Sequence, residues 1–372
     1  MRNELLINDK EAMLSIFGES ETSSVEETEW IEKMTTICSR IFIEQKVACH
    51  LKATVNSPIM LLLIYELDSY TKAFSKIQNI TKSLQGYLGE PSARIDTVLG
   101  ETGFGVYINK RQRPIISLNR VLVEDGIGFG LNEYGKSVSF DLNKHVHLLV
   151  GGTSGSGKSQ LVHALINSML LTKTSEQVQF VLIDPKRVEM RRYNNLCKDY
   201  LYYKQIVSEG YEAREILYSL KEEMEKRYSL LEKENCFDIE EYNKFSSLPH
   251  IVLVVEEFGD LMLAYQDKKI LEDLITSIAQ KGRSAGLHLL FATQSPDAKT
   301  IPSGIKANFA NRVGLRVTDP YKSRVIIDST GAEKLLGNGD GYYYTNGELI
   351  RFQGALVTPE QTKKIIEYLN VQ

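Results

Sequence analysis

The stretch HVHLLVGGTSGSGKSQLVHALINSMLL, residues 145–171, leaves few folds open to this chain. HVHLLV reads as a short apolar strand. Gly152, Gly157, Lys158 and Ser159 then fit the spacing G-x-x-x-x-G-K-[ST]. Glycines let the backbone turn tightly, so that successive N–H groups face one anion-sized nest. Leu161, Leu165, Ile166 and Met169 recur at helical spacing, which puts the nest on a helix N-terminus. Strand, loop and helix together make the context a phosphate loop needs. Gly152, Thr153, Ser154, Gly155, Ser156, Gly157, Lys158, Ser159 and Gln160 are therefore the expected nucleotide-binding residues. Lys158 is expected on the β- and γ-phosphates, and the Ser159 hydroxyl on Mg²⁺. The expected ligands are ATP and Mg²⁺.

A second stretch, HIVLVVEEFGDLM at 250–262, reads as a buried strand that ends in two carboxylates. Such groups are costly in a buried place unless cations meet them. Adjacent acids after a strand also suit the solvated first turn of a helix. Beside a phosphate loop they suit a metal and a water. Glu256 is expected in the Mg²⁺–water shell, where Asp is usual and Glu is one methylene longer. Glu257 is expected to polarise the attacking water.

The chain has 372 residues, room for one large domain or two smaller ones. No apolar run approaches the roughly 18 residues that span a bilayer; the longest, SPIMLLLIYEL at 57–67, reads as a buried strand. The N-terminus lacks the apolar core of a secretory signal, so the expected location is the cytoplasm. Cys38, Cys49, Cys197 and Cys236 are scattered, without a C-x-x-C pair, and read as buried or free thiols. The six histidines show no metal spacing. A formal net charge of −4 argues against a passive nucleic-acid coat. It leaves room for a ring that gathers a few basic loops around a strand.

Residues 1–29 read as a flexible acidic lead, with a helix expected from Trp30. Residues 30–124 read as a small α+β domain, with strand pieces ACHLKATV, IMLLLIYEL, SARIDTVL and FGVYIN and the helix YTKAFSKIQNITKSLQGYL among them. From 125 to 372 the elements alternate. HVHLLV, VQFVLID, HIVLVV, LHLLFAT and NRVGLRV read as strands, with long helices near 209–233 and 268–282. Alternation predicts a mostly parallel sheet covered on both faces. VQFVLID lies between the phosphate loop and the acidic pair, an order that suits a RecA-like P-loop ATPase core.

The chain resembles the FtsK/SpoIIIE-type DNA translocases. The residues that carry the resemblance are VLIDPKRVEMRRY, LKEEMEKRYSLL with EYN after it, HIVLVVEEFGDLM, the block IAQKGRSAGLHLLFATQSPDAKTIPSGIKANFANRVGLRV, GAEKLLGNGDGYYY and IRFQGALVTPEQ. SARIDTVLGETGFGVYINKRQRPIISLNRVL in the small domain joins more weakly. The resemblance runs from about residue 47 to the end. It lacks the membrane-spanning segments and the winged-helix module of larger family proteins. It implies a homo-oligomeric ring, a hexamer, that threads double-stranded DNA with nucleotide sites at subunit interfaces.

In that frame Gln294 reads as a γ-phosphate sensor at a strand end. Arg312, and after it Arg283, read as the arginine given to a neighbour's site; each is otherwise a surface charge or a structural ion pair. Lys322 and Arg324 read as pore residues that touch DNA, with helix N-terminal solvation as the plain alternative. Arg187, Arg191 and Arg192 form a basic cluster without an assigned role. A membrane or mobile-element protein is a possible further partner. Two other functions fit the same motifs: a coupling ATPase that moves a protein or nucleoprotein in conjugation or secretion, and a slow-hydrolysing nucleotide-gated scaffold.

Overall fold

The computed structural model describes residues 15–17, 25–68, 73–90, 93–97, 103–110, 113–144, 146–207, 210–264, 268–298 and 300–371. Most of the acidic lead lies outside them. Its last five residues, 25–29, already belong to the first long helix, Val25–Glu44 (α1).

The chain divides into two compact units. The smaller takes Glu19–Ile115 and Leu131–Lys136. Its antiparallel sheet has strands Cys49–Asn56 (β1), Met60–Leu67 (β2), Arg94–Thr97 (β3) and Gly103–Asn109 (β4), in the order β1-β2-β4-β3. From Met60 to Tyr65 β2 is an unbroken, buried run because both of its faces are covered. Leu61, Leu63 and Tyr65 join Met34, Cys38 and Phe42 of α1, and Ile77, Ile80 and Leu84 of Ala73–Leu88 (α2), in one core. Met60, Leu62 and Ile64 meet Tyr107 on the other side. This is the period of two that a strand imposes. Burial pushes the Cys38 thiol up to about 12, so it is a core group, and all four cysteines are free.

The larger unit includes Ile116–Gly130 and Ser137–Gln372. Its ten strands are Ile116–Ser117 (β5), Ile127–Asn132 (β6), Ser137–Phe140 (β7), Leu148–Gly151 (β8), Val178–Ile183 (β9), His250–Val255 (β10), Leu287–Thr293 (β11), Asn311–Leu315 (β12), Asp340–Thr345 (β13) and Glu348–Leu356 (β14). They run β7-β6-β14-β13-β12-β8-β11-β10-β9, with β5 paired to β14. The expected parallel sheet is the five strands at one end of this order, β12-β8-β11-β10-β9. β13 and β14 add an antiparallel extension, which makes the whole sheet mixed. Residues 116–124, read from the sequence as the end of the small domain, belong with this unit. Ile116 pairs with Ala355, and Leu118 and Val121 are fully buried.

Helices Lys158–Thr172 (α3), Gly210–Lys233 (α4), Ile239–Tyr242 (α5), Phe258–Ala264 (α6), Lys268–Lys281 (α7), Ser303–Lys306 (α8), Pro320–Ile327 (α9) and Pro359–Val371 (α10) complete the unit. α3 is buried from Leu161 to Leu171, which explains why apolar residues occur all round it rather than on one stripe, with His163, Asn167 and Ser168 buried among them. Leu149, Val181, Leu253, Val255, Leu289 and Phe291 of the parallel strands pack with Leu217, Leu220, Met224, Leu274, Ile275 and Ile278 of α4 and α7. β11 lies between β8 and β10, and Gly151 is in register with both Thr293 and Gly314. The phosphate loop, the Gln294 turn and the acidic pair thus leave the sheet from adjacent strand ends.

Candidate nucleotide-binding site

The loop after β8 is held from outside. Gly152 N–H donates to Thr293 O (3.1 Å), and Thr153 gives both its N–H and its hydroxyl to Arg316 O (2.9 Å each). Gly155 O and Ser156 O accept from the N–H groups of Asn338 (3.3 Å) and Gly339 (2.8 Å). With outward carbonyls engaged, the loop's shape is fixed before any ligand arrives. Gly157 shows why the motif needs glycine here. Its φ is +98°, and a Cβ on it would stand 2.4 Å from Gly339 N. Gly157 is also the N-cap of α3, and no side chain caps that end. The orphan N–H groups of the first turn are left to an anion. Ser156 Oγ is buried without a hydrogen-bond partner, a further polar atom for a ligand to satisfy. Ser154 and Gly155 are exposed at the tip, and Gln160 is half-buried.

What meets the two carboxylates is now visible. Glu256 and Glu257 are 2% and 3% exposed. Lys158 Nζ donates to Glu256 Oε1 (2.7 Å) and to its carbonyl (2.8 Å), and lies 3.9 Å from Glu257 Oε2. Ser159 Oγ donates to the same Glu256 Oε1 at 2.8 Å. Glu257 accepts from Gln294 N–H (3.1 and 3.2 Å) and sits 3.7 Å from Lys186 Nζ. Lys186 also reaches Asp260 at 3.3 Å. Burial acts against the Lys186 ammonium, but Glu257 and Asp260 outweigh it and its pKa ends above the usual lysine value. Two cations and a backbone donor therefore hold two buried anions, so the arrangement avoids an uncompensated buried charge.

The turn after β9 carries Lys186. Asp184, 1% exposed, organises that turn by accepting from the N–H groups of Lys186 (3.2 Å), Val188 (2.8 Å) and Met190 (3.0 Å). The sequence reading assigned no role to Lys186, Glu189 or Arg316. The IDPK segment was the available signal for Lys186, but only the pairing of β9 with β10 brings it to Glu257.

Of the expected site residues, Lys158, Ser159, Glu256, Glu257 and Gln294 come together. Arg312 does not fit a residue that reaches a neighbour. It is 6% exposed in the sheet, paired with Asp328, bonded to Phe309 O (3.3 Å), and its guanidinium lies 4.4 Å from the Tyr344 ring centre. The structural ion pair is what β12 and the end of α9 build there. Arg283 is exposed just beyond α7. Arg324 is exposed and Lys322 half-buried on α9, whose N-cap Asp319 accepts from Lys322 N–H at 3.0 Å. Among the described residues no group of three or more His, Cys, Asp and Glu could hold a metal. A cation here would rest on Ser159, one carboxylate and phosphate oxygens, a donor set that suits Mg²⁺.

A parallel sheet with a phosphate loop on one strand and paired acids two strands away defines a RecA-like P-loop ATPase fold. The model of the FtsK/SpoIIIE family matches residues 126–247 and 243–298. DNA translocase SpoIIIE of Bacillus subtilis is 34% identical over 322 residues, 80% of this chain and 40% of that protein. DNA translocase FtsK of Borreliella burgdorferi is 31% identical over 377 aligned residues, 95% of this chain and 47% of that protein. The chain belongs to the FtsK/SpoIIIE family, and it spans less than half the length of these relatives. Two solved structures share its fold. The pCW3 conjugation coupling protein TcpA, a monomer form with ATPγS, has a TM-score of 0.63 at 21% identity, covering 90% of this chain and 99% of that one. The cytoplasmic domain of the Thermomonospora curvata type VII secretion ATPase EccC has a TM-score of 0.58 at 27% identity, covering 70% and 32%.

Proposed function

We propose that the chain is the motor of an ATP-driven double-stranded DNA translocase that works as a homo-oligomeric ring, a hexamer, in the cytoplasm. The observation that carries this reading is the convergence of Lys158, Ser159, Glu256 and Glu257 in a chain of this family. Lys158 holds the β- and γ-phosphates over the α3 N-terminus. Ser159 and Glu256 are the protein ligands of the Mg²⁺ shell, directly or through water. Mg²⁺ supplies charge neutralisation and alignment of the phosphate oxygens. Glu257 polarises the attacking water and takes up its proton. Gln294 shares Glu257 through its N–H, so loss of the γ-phosphate is felt at the end of β11.

Arg283, exposed, takes the role of the arginine given to the adjacent subunit; the buried Arg312 braces β12 instead. Lys322 and Arg324 contact the DNA backbone from α9. Among the described residues no helix is long and apolar enough to cross a membrane. In this reading a membrane or mobile-element partner supplies any such link.

The test is ATP turnover with and without linear double-stranded DNA. The motor reading expects stimulation by DNA. Stimulation only by a protein substrate would favour a coupling or secretion ATPase. Binding without turnover would favour the nucleotide-gated scaffold.

A further inference from the structure

The turn that leads into β13, residues 336–340, is shaped by a buried charge. Gly337, Asn338 and Gly339 have φ of +88°, +50° and +87°, three successive residues in the left-handed region. Glycine adopts that region freely and asparagine tolerates it, but a run of three persists only where the surroundings fix it. Asp340, 0% exposed, does so. Its Oδ2 accepts Leu336 N–H (3.0 Å) and its own N–H donates to Gly337 O (3.1 Å), so one residue closes the turn from both sides. A fully buried carboxylate is costly unless a cation meets it. Arg351 of β14 donates to both oxygens, Nε to Oδ1 (3.2 Å) and Nη2 to Oδ2 (3.0 Å). β14 adds Gln353 Nε2 on Asn338 O (2.7 Å) and Gly354 N–H on Gly339 O (2.8 Å).

The N–H groups of this turn go to the phosphate loop. Asn338 and Gly339 donate to two successive carbonyls, Gly155 O and Ser156 O. A trans peptide points its N–H opposite to its C=O. Fixing Ser156 O on Gly339 therefore aims Gly157 N–H the other way, to the side where the first turn of α3 leaves its N–H groups for an anion. Fixing Gly155 O leaves Ser156 N–H on Thr153 O (3.0 Å), the bond that closes the loop on itself. A glycine-rich loop has more backbone freedom to lose than any other, so a shape held in advance matters here. We propose that Asp340, held by Arg351, is a positioning residue for nucleotide binding: through the N–H groups of Asn338 and Gly339 it keeps the phosphate loop in its anion-binding shape before a nucleotide arrives. This rests on the reading of the loop as an ATP site. Asp340 and Arg351 act only through the turn and touch no phosphate. Without Asp340 only a fraction of the protein can receive a nucleotide, and affinity falls by that fraction. The loss lies in association, because a bound polyphosphate holds the loop closed by itself.

The experiment is stopped-flow binding of fluorescent ATP and ADP analogues, at a temperature where circular dichroism shows each variant folded. Asp340→Ala should slow association by about 10-fold, the loss that goes with a competent fraction of about a tenth, and leave dissociation within about twofold. Both analogues should lose the same factor, since the turn acts on the loop and not on the γ-phosphate. Asn338→Val, which strains a left-handed residue, should slow association in the same way, while Asn338→Gly, which keeps the conformation and the N–H donor, should retain most of the wild-type rate. Because Asn338 is exposed, that pair decides even if Asp340→Ala does not fold. An unchanged association rate in folded Asp340→Ala, with or without a lower unfolding midpoint, overturns the proposal. So does a loss carried by faster dissociation, or one confined to the ATP analogue. Failure of the underlying reading shows differently: the wild type then gives no saturable binding, or Lys158→Ala binds as well as the wild type, and the proposal falls with it.

Discussion

The three central strands β8, β11 and β10 carry polar groups at both ends, and the two ends are built on opposite rules. At the foot, His147, just before β8, donates from Nε2 to Ala279 O (2.9 Å) and accepts Leu289 N–H on Nδ1 (3.1 Å). His288 at the start of β11 gives Nδ1–H to Val146 O (3.0 Å) and faces His250 of β10 at 2.8 Å. Arg227 closes the same end by donating to Pro249 O and Ala285 O (2.9 Å each). Most of these bonds end on the backbone and cannot be exchanged without loosening the sheet. At the other end, Lys158, Ser159, Glu256, Glu257 and Lys186 bond mainly to one another through charged side-chain atoms. Side chains paired with side chains can trade partners for phosphate and metal. Closed polar networks at the foot serve stability; exchangeable charged ones at the top serve chemistry.

Lys158→Ala should break the contrast most severely. Productive ATP binding and turnover should both vanish, since the loop loses its only cation. Removing one partner of a buried pair also costs on the order of 3–5 kcal/mol. The double variant Lys158→Ala/Glu256→Gln sharpens the comparison. It should recover much of that stability in thermal unfolding and none of the binding by a fluorescent ATP analogue. Recovery of binding would put the phosphate cation elsewhere.

Arg283→Ala comes next. Nucleotide affinity should hold while turnover drops, by on the order of 10³ if Arg283 acts in a neighbour's site. Mixing it with Lys158→Ala subunits, after labelled-subunit controls for exchange, should return part of the hydrolysis. Arg312→Ala should instead cost stability, about 1 kcal/mol because Asp328 is half exposed and keeps Lys306. An Arg312 variant with full stability and no turnover would reverse these two assignments.

The smallest effect belongs to the foot. Burial pushes His147 down to about 4 and His288 well below the ordinary histidine value. Both are buried neutral, so their contribution is intact above the unfolded value near 6.5 and is lost as pH falls from there toward 4. Unfolding midpoints should drop between pH 7 and pH 5, by on the order of 1–2 kcal/mol per buried histidine. His147→Gln should flatten that slope without altering ATP affinity at pH 7.5. An altered affinity would mean that the two ends are not independent.

Motifs confined to a dozen residues were legible in the sequence. The glycine spacing, the strand before it and the Glu256–Glu257 pair each state their chemistry locally. Glu257 and Gln294 could be tied together because each closes a strand, and the parallel order β10-β11 brings them level. Contacts made by topology were not legible. Asp328 meets Arg312 only after α9 folds back on β12, so the sequence left Arg312 open between a neighbour's site and a structural ion pair. The sequence carries no sign of the bonds that His163 makes, because Glu189 and Tyr193 arrive from another segment. Nothing in GNGDG alone says that Asn338 and Gly339 brace the phosphate loop.

Glu257→Gln tests the central claim most directly, since it keeps the side chain's shape and one acceptor oxygen for Gln294 N–H while removing the base and its charge. Single-turnover hydrolysis of bound ATP and ATP affinity should be measured on the same assembled protein with double-stranded DNA. Affinity should stay within about threefold, while the hydrolysis rate should fall by on the order of 10²–10⁴, as loss of a general base does. Unchanged single-turnover hydrolysis would contradict the account and move the base to Glu256 or Asp260.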